Sequence, residues 1–175
     1  IAMYELCKRE GRGLNCRFLA QVLSEMYLAM GFPSRFVTCQ SKAYDTDTDC
    51  HVINMVWSRQ LGKWIWMDAS FAAYVTDENG LLLHPGEVRE RLIKGLPLVL
   101  NEDANWNHKT KQTKEGYLEN YMAKNLYMLD AHLESRFETE PADGSGSPRM
   151  YLVPEGFWPL SGHTTYDDRY FWQAP

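Results

Sequence analysis

Between positions 15 and 30 the apolar side chains fall into two adjacent rows. Phe18, Val22, Met26 and Met30 form one row and Leu19, Leu23 and Tyr27 the other, the spacing of a helix with one apolar side. Asn15 suits the N-cap and Gly31 the C′ position, and Pro33 forbids continuation. The spacing therefore predicts a helix with Cys16 in its first turn. After Pro33 the runs shorten and become β-branched or aromatic. Residues 35–39, 51–57 and 64–68 read as strands, the last two joined by a short loop containing Gly62. Turn residues at 76–80 precede the apolar run 81–83. Residues 85–94 predict a short helix with Val88, Leu92 and Ile93 inward and Gly95 at its end. Residues 96–100 are strand-like, with Pro97 restricting them to an edge.

Residues 101–114 read as a polar loop. From 114 to about 137, Leu118, Met122, Leu126, Leu129 and Leu133 recur at helical spacing and predict a long amphipathic helix. Residues 141–148 (Pro-Ala-Asp-Gly-Ser-Gly-Ser-Pro) read as a flexible connector, 150–153 as a last strand, and 156–175 as an aromatic-rich, irregular tail. A helix followed by several strands and another helix predicts an α+β fold on an antiparallel sheet. At 175 residues the expectation is one domain, with a core over about 12–100 and a C-terminal extension over 101–175.

Composition changes this picture little. A net charge of −5, with no basic stripe, argues against nucleic acid or an anionic membrane as the main partner. No stretch is long and apolar enough to span a bilayer. The chain opens at Ile1, which reads as a piece of a longer protein. The four cysteines, Cys7, Cys16, Cys39 and Cys50, are too few for a disulfide-stapled scaffold and leave the compartment undecided.

The candidate chemistry begins with Cys16. A thiol at a helix N-terminus feels the helix dipole and unpaired amides, and a neighbouring imidazolium favours its thiolate further. A histidine must accept and return the proton, and a carboxylate must orient that histidine. His51 opens one predicted strand and Asp68 closes the next. In an antiparallel pair the start of one strand lies beside the end of the other. Cys16, His51 and Asp68 are therefore the candidate catalytic residues; substrate-binding residues are not readable.

Three blocks resemble the transglutaminase-like superfamily. Gly13-Leu-Asn-Cys16, with the helix ending Ala29-Met-Gly31 and the following Phe32-Pro-Ser-Arg-Phe-Val37, is similar to its cysteine block. His51-Val-Ile resembles its histidine block, and Lys63-Trp-Ile-Trp-Met-Asp-Ala-Ser70 its aspartate block. They occur in order, with 35 and 17 residues separating the three key side chains. The resemblance covers roughly residues 12–75. It implies a papain-like α+β fold with a catalytic helix packed on an antiparallel sheet, and a Cys-His-Asp triad without a cofactor. It also implies a peptide or protein substrate, glycopeptides and peptidoglycan peptides included. The expected function is hydrolysis of a peptide or side-chain amide through a Cys16 thioester; transfer to an amine would make a protein cross-linker.

Two departures motivate a different class, a binding or assembly module that keeps the fold without the chemistry. Many members have an aromatic and an acidic residue shortly after the histidine, where this chain has Ile53, Asn54 and Met55. No second oxyanion donor stands out among residues 1–15.

Other clusters read as structural. Cys39 and Cys50 invite a cross-strand disulfide or a zinc site, but the short paired spacing of zinc ligands is missing; free thiols are expected. Asp45-Thr-Asp-Thr-Asp49 has Cys50 and Val56 where a calcium loop needs Gly and Glu, so it reads as a solvated acidic loop. His84, His108, His132 and His163 have no sequence partners. Trp106, Trp158 and Trp172 are core or groove residues, which spacing does not separate.

Overall fold

The computed structural model describes residues 2–136, 148–157 and 163–175. The chain opens with α1 (Ala2–Glu10) and α2 (Cys16–Ala29), followed by β1 (Ser34–Gln40), β2 (Cys50–Ser58), β3 (Lys63–Met67) and β4 (Val75–Thr76). Next come α3 (Pro85–Lys94), β5 (Val99–Leu100), β6 (Asn105–Trp106) and β7 (Thr110–Lys111). A π-helix, Glu115–Met122, runs into a single turn, α4 (Ala123–Asn125). Then follow β8 (Met128–His132), β9 (Arg149–Leu152), β10 (His163–Thr165) and α5 (Asp168–Phe171).

Six strands make one sheet in the order β10-β9-β8-β1-β2-β3. The β10–β9 pair is parallel and all the others are antiparallel. This is an α+β fold on a largely antiparallel sheet.

The ends of α2 form as the sequence predicts. The Asn15 side chain accepts from the Phe18 N–H at 3.0 Å. At the other end Gly31 takes φ 81°, and the N–H groups of Gly31 and Phe32 return to the carbonyls of Leu28 and Tyr27 at 3.0 and 2.9 Å. That pair of bonds satisfies carbonyls the helix itself leaves open.

The buried side of α2 is not the predicted row. Ala20 and Ser24 are buried, whereas Phe18, Met26 and Met30 are exposed. Small residues let the helix sit close against β1 and β2, and so they take the contact. Ala20 packs with Phe36 and Val52. Asn54, buried on β2, donates from Nδ2 to the Ala20 carbonyl at 2.5 Å.

The larger core lies on the other face of the sheet. Val37, Ile53, Met55, Trp64 and Trp66 meet Phe71, Val88, Tyr117, Leu118, Met122, Leu126, Leu129, Leu152 and Phe171 there. Side chains from 101–175 thus share a core with the cysteine-bearing half. Arg35 adds a second tie. Its guanidinium stacks on Trp64 and Phe171, 4.7 and 5.2 Å from their centroids, and donates to the Phe171 carbonyl at 2.6 Å. Burial brings its pKa down to about 10.

The predicted helix over 114–137 is the main correction. Helix ends at Asn125, and Met128–His132 is a strand paired with β1 on one side and β9 on the other. Leu129 is fully buried in that strand, while Leu133 is 42% exposed just beyond it. A five-residue segment with three apolar positions (Met128, Leu129 and Ala131) fits either period, and here pairing with β1 decides. Residue 137 and most of the connector at 141–148 lie outside the described residues. Within the polar stretch 101–114, β6 and β7 form a small hairpin. The tail also contains more order than predicted, in β10 and α5.

Candidate active site

Cys16 is the first residue of α2 and is half-buried. His51 lies at the start of β2, opposite Cys39 in the β1–β2 register, and is only 1% exposed. The β2–β3 ladder begins at Asn54 and Met67. Asp68 therefore stands beside Ile53, and it shares a face of the pleat with His51 two residues away. His51 Nε2 and Asp68 Oδ2 are 2.5 Å apart, both side chains buried.

Asp68 is held by its own turn. Its backbone exchanges two hydrogen bonds with Ala73, at 2.8 and 3.0 Å. Its Oδ1 accepts from the N–H groups of Ser70 and Phe71 at 2.8 and 3.2 Å. Ala72, inside that turn, has φ 46°, a left-handed backbone that costs a non-glycine residue energy. One oxygen of Asp68 thus serves the turn while the other faces the imidazole.

With Nε2 on Asp68, the remaining ring nitrogen, Nδ1, is the one that meets Cys16. The Cys16 sulfur is hydrogen-bonded to His51 and also accepts from the backbone N–H groups of Val52 and Arg17. Val52 lies beyond the first β2–β3 pair. Burial alone would push the Cys16 thiol up, but the hydrogen bond and charge of His51, with the two N–H groups, bring it below its ordinary value. Burial likewise opposes charge on His51. The Asp68 carboxylate and the Cys16 sulfur overcome that and raise its pKa to about 9. The two shifts run in opposite directions, the thiol down and the imidazole up, and both favour the charged forms of the pair.

Around the imidazole stand two aromatic rings that sequence reasoning missed, joined by Trp106, which it read as a core or groove residue. Phe71 and Tyr121 approach it edge-on, with centroids at 5.3 and 5.5 Å. Trp106, on the β6–β7 hairpin and 40% exposed, extends the wall by packing on Phe71 at 4.6 Å. Asn107 and His108 at the hairpin tip have φ 52° and 56°, and Asn107 N–H donates to the Ser70 carbonyl at 3.3 Å. Tyr117 donates its phenol proton to Asp68 Oδ2 at 2.6 Å. No spacing signal ties these residues to His51 or Asp68.

The remaining candidates resolve as structure. Cys39 and Cys50 are free thiols. Their register partners, His51 and Gln40, place them on opposite faces of the sheet, so they are not geometrically matched for a disulfide. Burial pushes both thiols up. No cluster of three or more His, Cys, Asp or Glu able to hold a metal occurs among the described residues. In the acidic loop, Lys124 pairs with Asp47 and Asp49 at 3.0 and 2.8 Å. His84 caps α3, accepting the Gly86 N–H at 3.0 Å. His132 packs edge-on against Phe36, 5.3 Å between centroids.

Residues 2–69 match the family model of the Transglutaminase-like superfamily. This stretch is similar to the core of that superfamily. It contains Cys16, His51 and Asp68, and it ends before the turn that braces Asp68 and before Tyr117 and Tyr121. Searches of curated proteins and of solved structures gave no match. The transglutaminase-like superfamily usually includes cysteine-dependent enzymes. Among the described residues no helix is long and apolar enough to cross a membrane.

Proposed function

We propose that this chain acts as a single transglutaminase-like domain, a cysteine hydrolase of peptide or side-chain amide bonds, with Cys16 as nucleophile. The observation that supports this reading best is the buried His51–Asp68 hydrogen bond, 2.5 Å long, with Cys16 at the head of α2 drawn down by the same imidazole. The Cys16 thiolate adds to the amide carbonyl carbon, and the charge collects on the carbonyl oxygen. The Cys16 N–H, an unpaired donor of the first helical turn, is the natural partner for that oxygen. His51 gives its Nδ1 proton to the departing nitrogen as the C–N bond breaks, leaving an acyl thioester and a neutral imidazole. His51 next takes a proton from water as the water oxygen adds to the thioester. The acid departs and the thiolate–imidazolium pair is restored. Asp68 holds His51 Nε2–H throughout and favours the charged ring. An amine replacing water in the second half would give transfer from the same thioester.

The direct test is the pH dependence of Cys16 alkylation by iodoacetamide. The reactive species is the thiolate, so a lowered thiol gives substantial reaction below about pH 8.5, where a free cysteine is mostly protonated. Turnover is expected to fall as pH rises through about 9, because the imidazolium that protonates the leaving amine is then lost. An alkylation curve centred near the free-cysteine value would remove the pair and favour the non-catalytic module. Mass analysis of products formed with and without a primary amine separates hydrolysis from transfer.

A further inference from the structure

Tyr117 stands outside the stretch that matches the superfamily model, yet it contacts the proposed triad directly. Its ring is fully buried and packs on Phe71, 4.5 Å between centroids. Its hydroxyl lies 2.6 Å from Asp68 Oδ2, the same oxygen that faces His51 Nε2 at 2.5 Å. The phenol oxygen in turn accepts from Trp66 Nε1 at 3.3 Å. A buried phenol has one proton to give, and Trp66 occupies an acceptor position. The tyrosine O–H is thereby directed to the carboxylate.

The element that delivers Tyr117 is unusual. Glu115–Met122 is a π-helix, closed at its end by the Ala123 N–H returning five residues to the Leu118 carbonyl. Such segments are rare and recur at functional sites. This one brings two tyrosines to the triad, Tyr117 to Asp68 and Tyr121 to the face of His51.

We propose that Tyr117 is a positioning residue of the site, whose hydroxyl shares Asp68 Oδ2 with His51 and sets how strongly that carboxylate holds the imidazolium. The inference rests on the Cys16–His51–Asp68 reading above. Two donors on one oxygen divide its charge. With the phenol proton present, Oδ2 attracts the imidazolium less than a bare carboxylate would. With it removed, more of the charge faces His51, the charged ring is favoured further, and His51 gives up its proton at higher pH.

The ionisable groups facing His51 are few. Cys16 comes from α2, Cys50 is its neighbour on β2, and Cys39 lies across the β1 register. Asp68 follows β3, and Tyr117 and Tyr121 come from the π-helix, with Asp49 and Asp130 further out. Burial pushes Cys39, Cys50, Tyr117 and Tyr121 upward. The two steps in a pH profile below and near about 9 therefore belong to Cys16 and His51.

The experiment compares the wild-type chain with Tyr117→Phe. Iodoacetamide alkylation of Cys16 and the ring nitrogen shifts of ¹⁵N-labelled His51 are followed from about pH 5 to about pH 10, and circular dichroism confirms folding. The upper step, expected near 9 in the wild type, should move up by about one pH unit in Tyr117→Phe, as expected for one charge-assisted hydrogen bond. Site-specific 3-fluorotyrosine at 117 keeps the ring and makes the O–H a stronger donor, so it should move the step down. This second variant decides the matter if Tyr117→Phe does not fold. A folded variant with the upper step unmoved, by either substitution, overturns the role of Tyr117 and leaves the triad standing. An ordinary free-thiol curve in the wild type overturns the triad itself, and the role of Tyr117 with it.

Discussion

Cys16, His51 and Asp68 are each placed by something a few residues away: a helix cap, the start of a strand, a tight turn. Tyr117 and Tyr121, which touch Asp68 and His51, are placed by a π-helix whose first contact lies 49 residues beyond Asp68. The first group sits where local rules apply. The second depends on a long-range packing arrangement in which residues 71–126 cover the larger core. The comparison separates the proposed reactive groups from the groups that brace them, and each half predicts a different failure when altered.

His51→Ala should have the largest effect. It removes the proposed base and leaves Asp68 with three donors, the Ser70 and Phe71 N–H groups and the Tyr117 hydroxyl. The fold is therefore expected to survive while reactivity does not. Turnover should drop on the order of 10²–10⁴-fold, and Cys16 alkylation near neutral pH should slow towards that of a free thiol. His132→Ala, on the edge of Phe36, should change neither. Equal slowing from both substitutions would contradict the assignment of His51.

Leu129→Ala tests the bracing half. Leu129 is fully buried between Cys39 on β1 and Leu152 on β9, and its truncation should cost about 2–5 kcal/mol in denaturant unfolding. Leu133→Ala, at a side chain 42% exposed, should stay within about 0.5 kcal/mol. On one amphipathic helical face the two leucines would be equivalent. Similar losses would therefore argue for the helix that the spacing predicts and against the strand.

That contrast also explains what was legible in the sequence. The α2 boundaries could be read because Asn15, Gly31 and Pro33 are residues with one structural use each. His51 and Asp68 could be paired because strand ends obey the antiparallel rule. The buried side of α2 could not be read in the same way: its apolar residues cover more than one face, and close approach selects Ala20 and Ser24 instead. β8 was hidden because five residues are too few to show a period of their own, and its partner, β1, lies some ninety residues upstream. The link from Tyr117 to Asp68 leaves no local pattern, since it depends on how the π-helix packs over the sheet. α1 was hidden for a plainer reason: it is a short, mostly polar segment with Tyr4 and Leu6 exposed.

Asn54 joins the two halves and gives the smallest predicted effect. It occupies a position where the chain departs from the residues common after the superfamily's histidine, and its use is structural. Its Nδ2 ties β2 to the Ala20 carbonyl one turn into α2, the helix that begins with Cys16. Asn54→Ala removes one buried hydrogen bond, a loss of about 1–2 kcal/mol, or a melting temperature lower by roughly 2–8 °C for a chain of this size. The thiolate depends on contacts at the first residue of α2, so the alkylation curve should keep its shape and position. If the curve shifts towards a free thiol while stability barely changes, Asn54 is setting the approach of Cys16 to His51. The boundary between reactive and bracing residues would then run through β2 rather than beyond it.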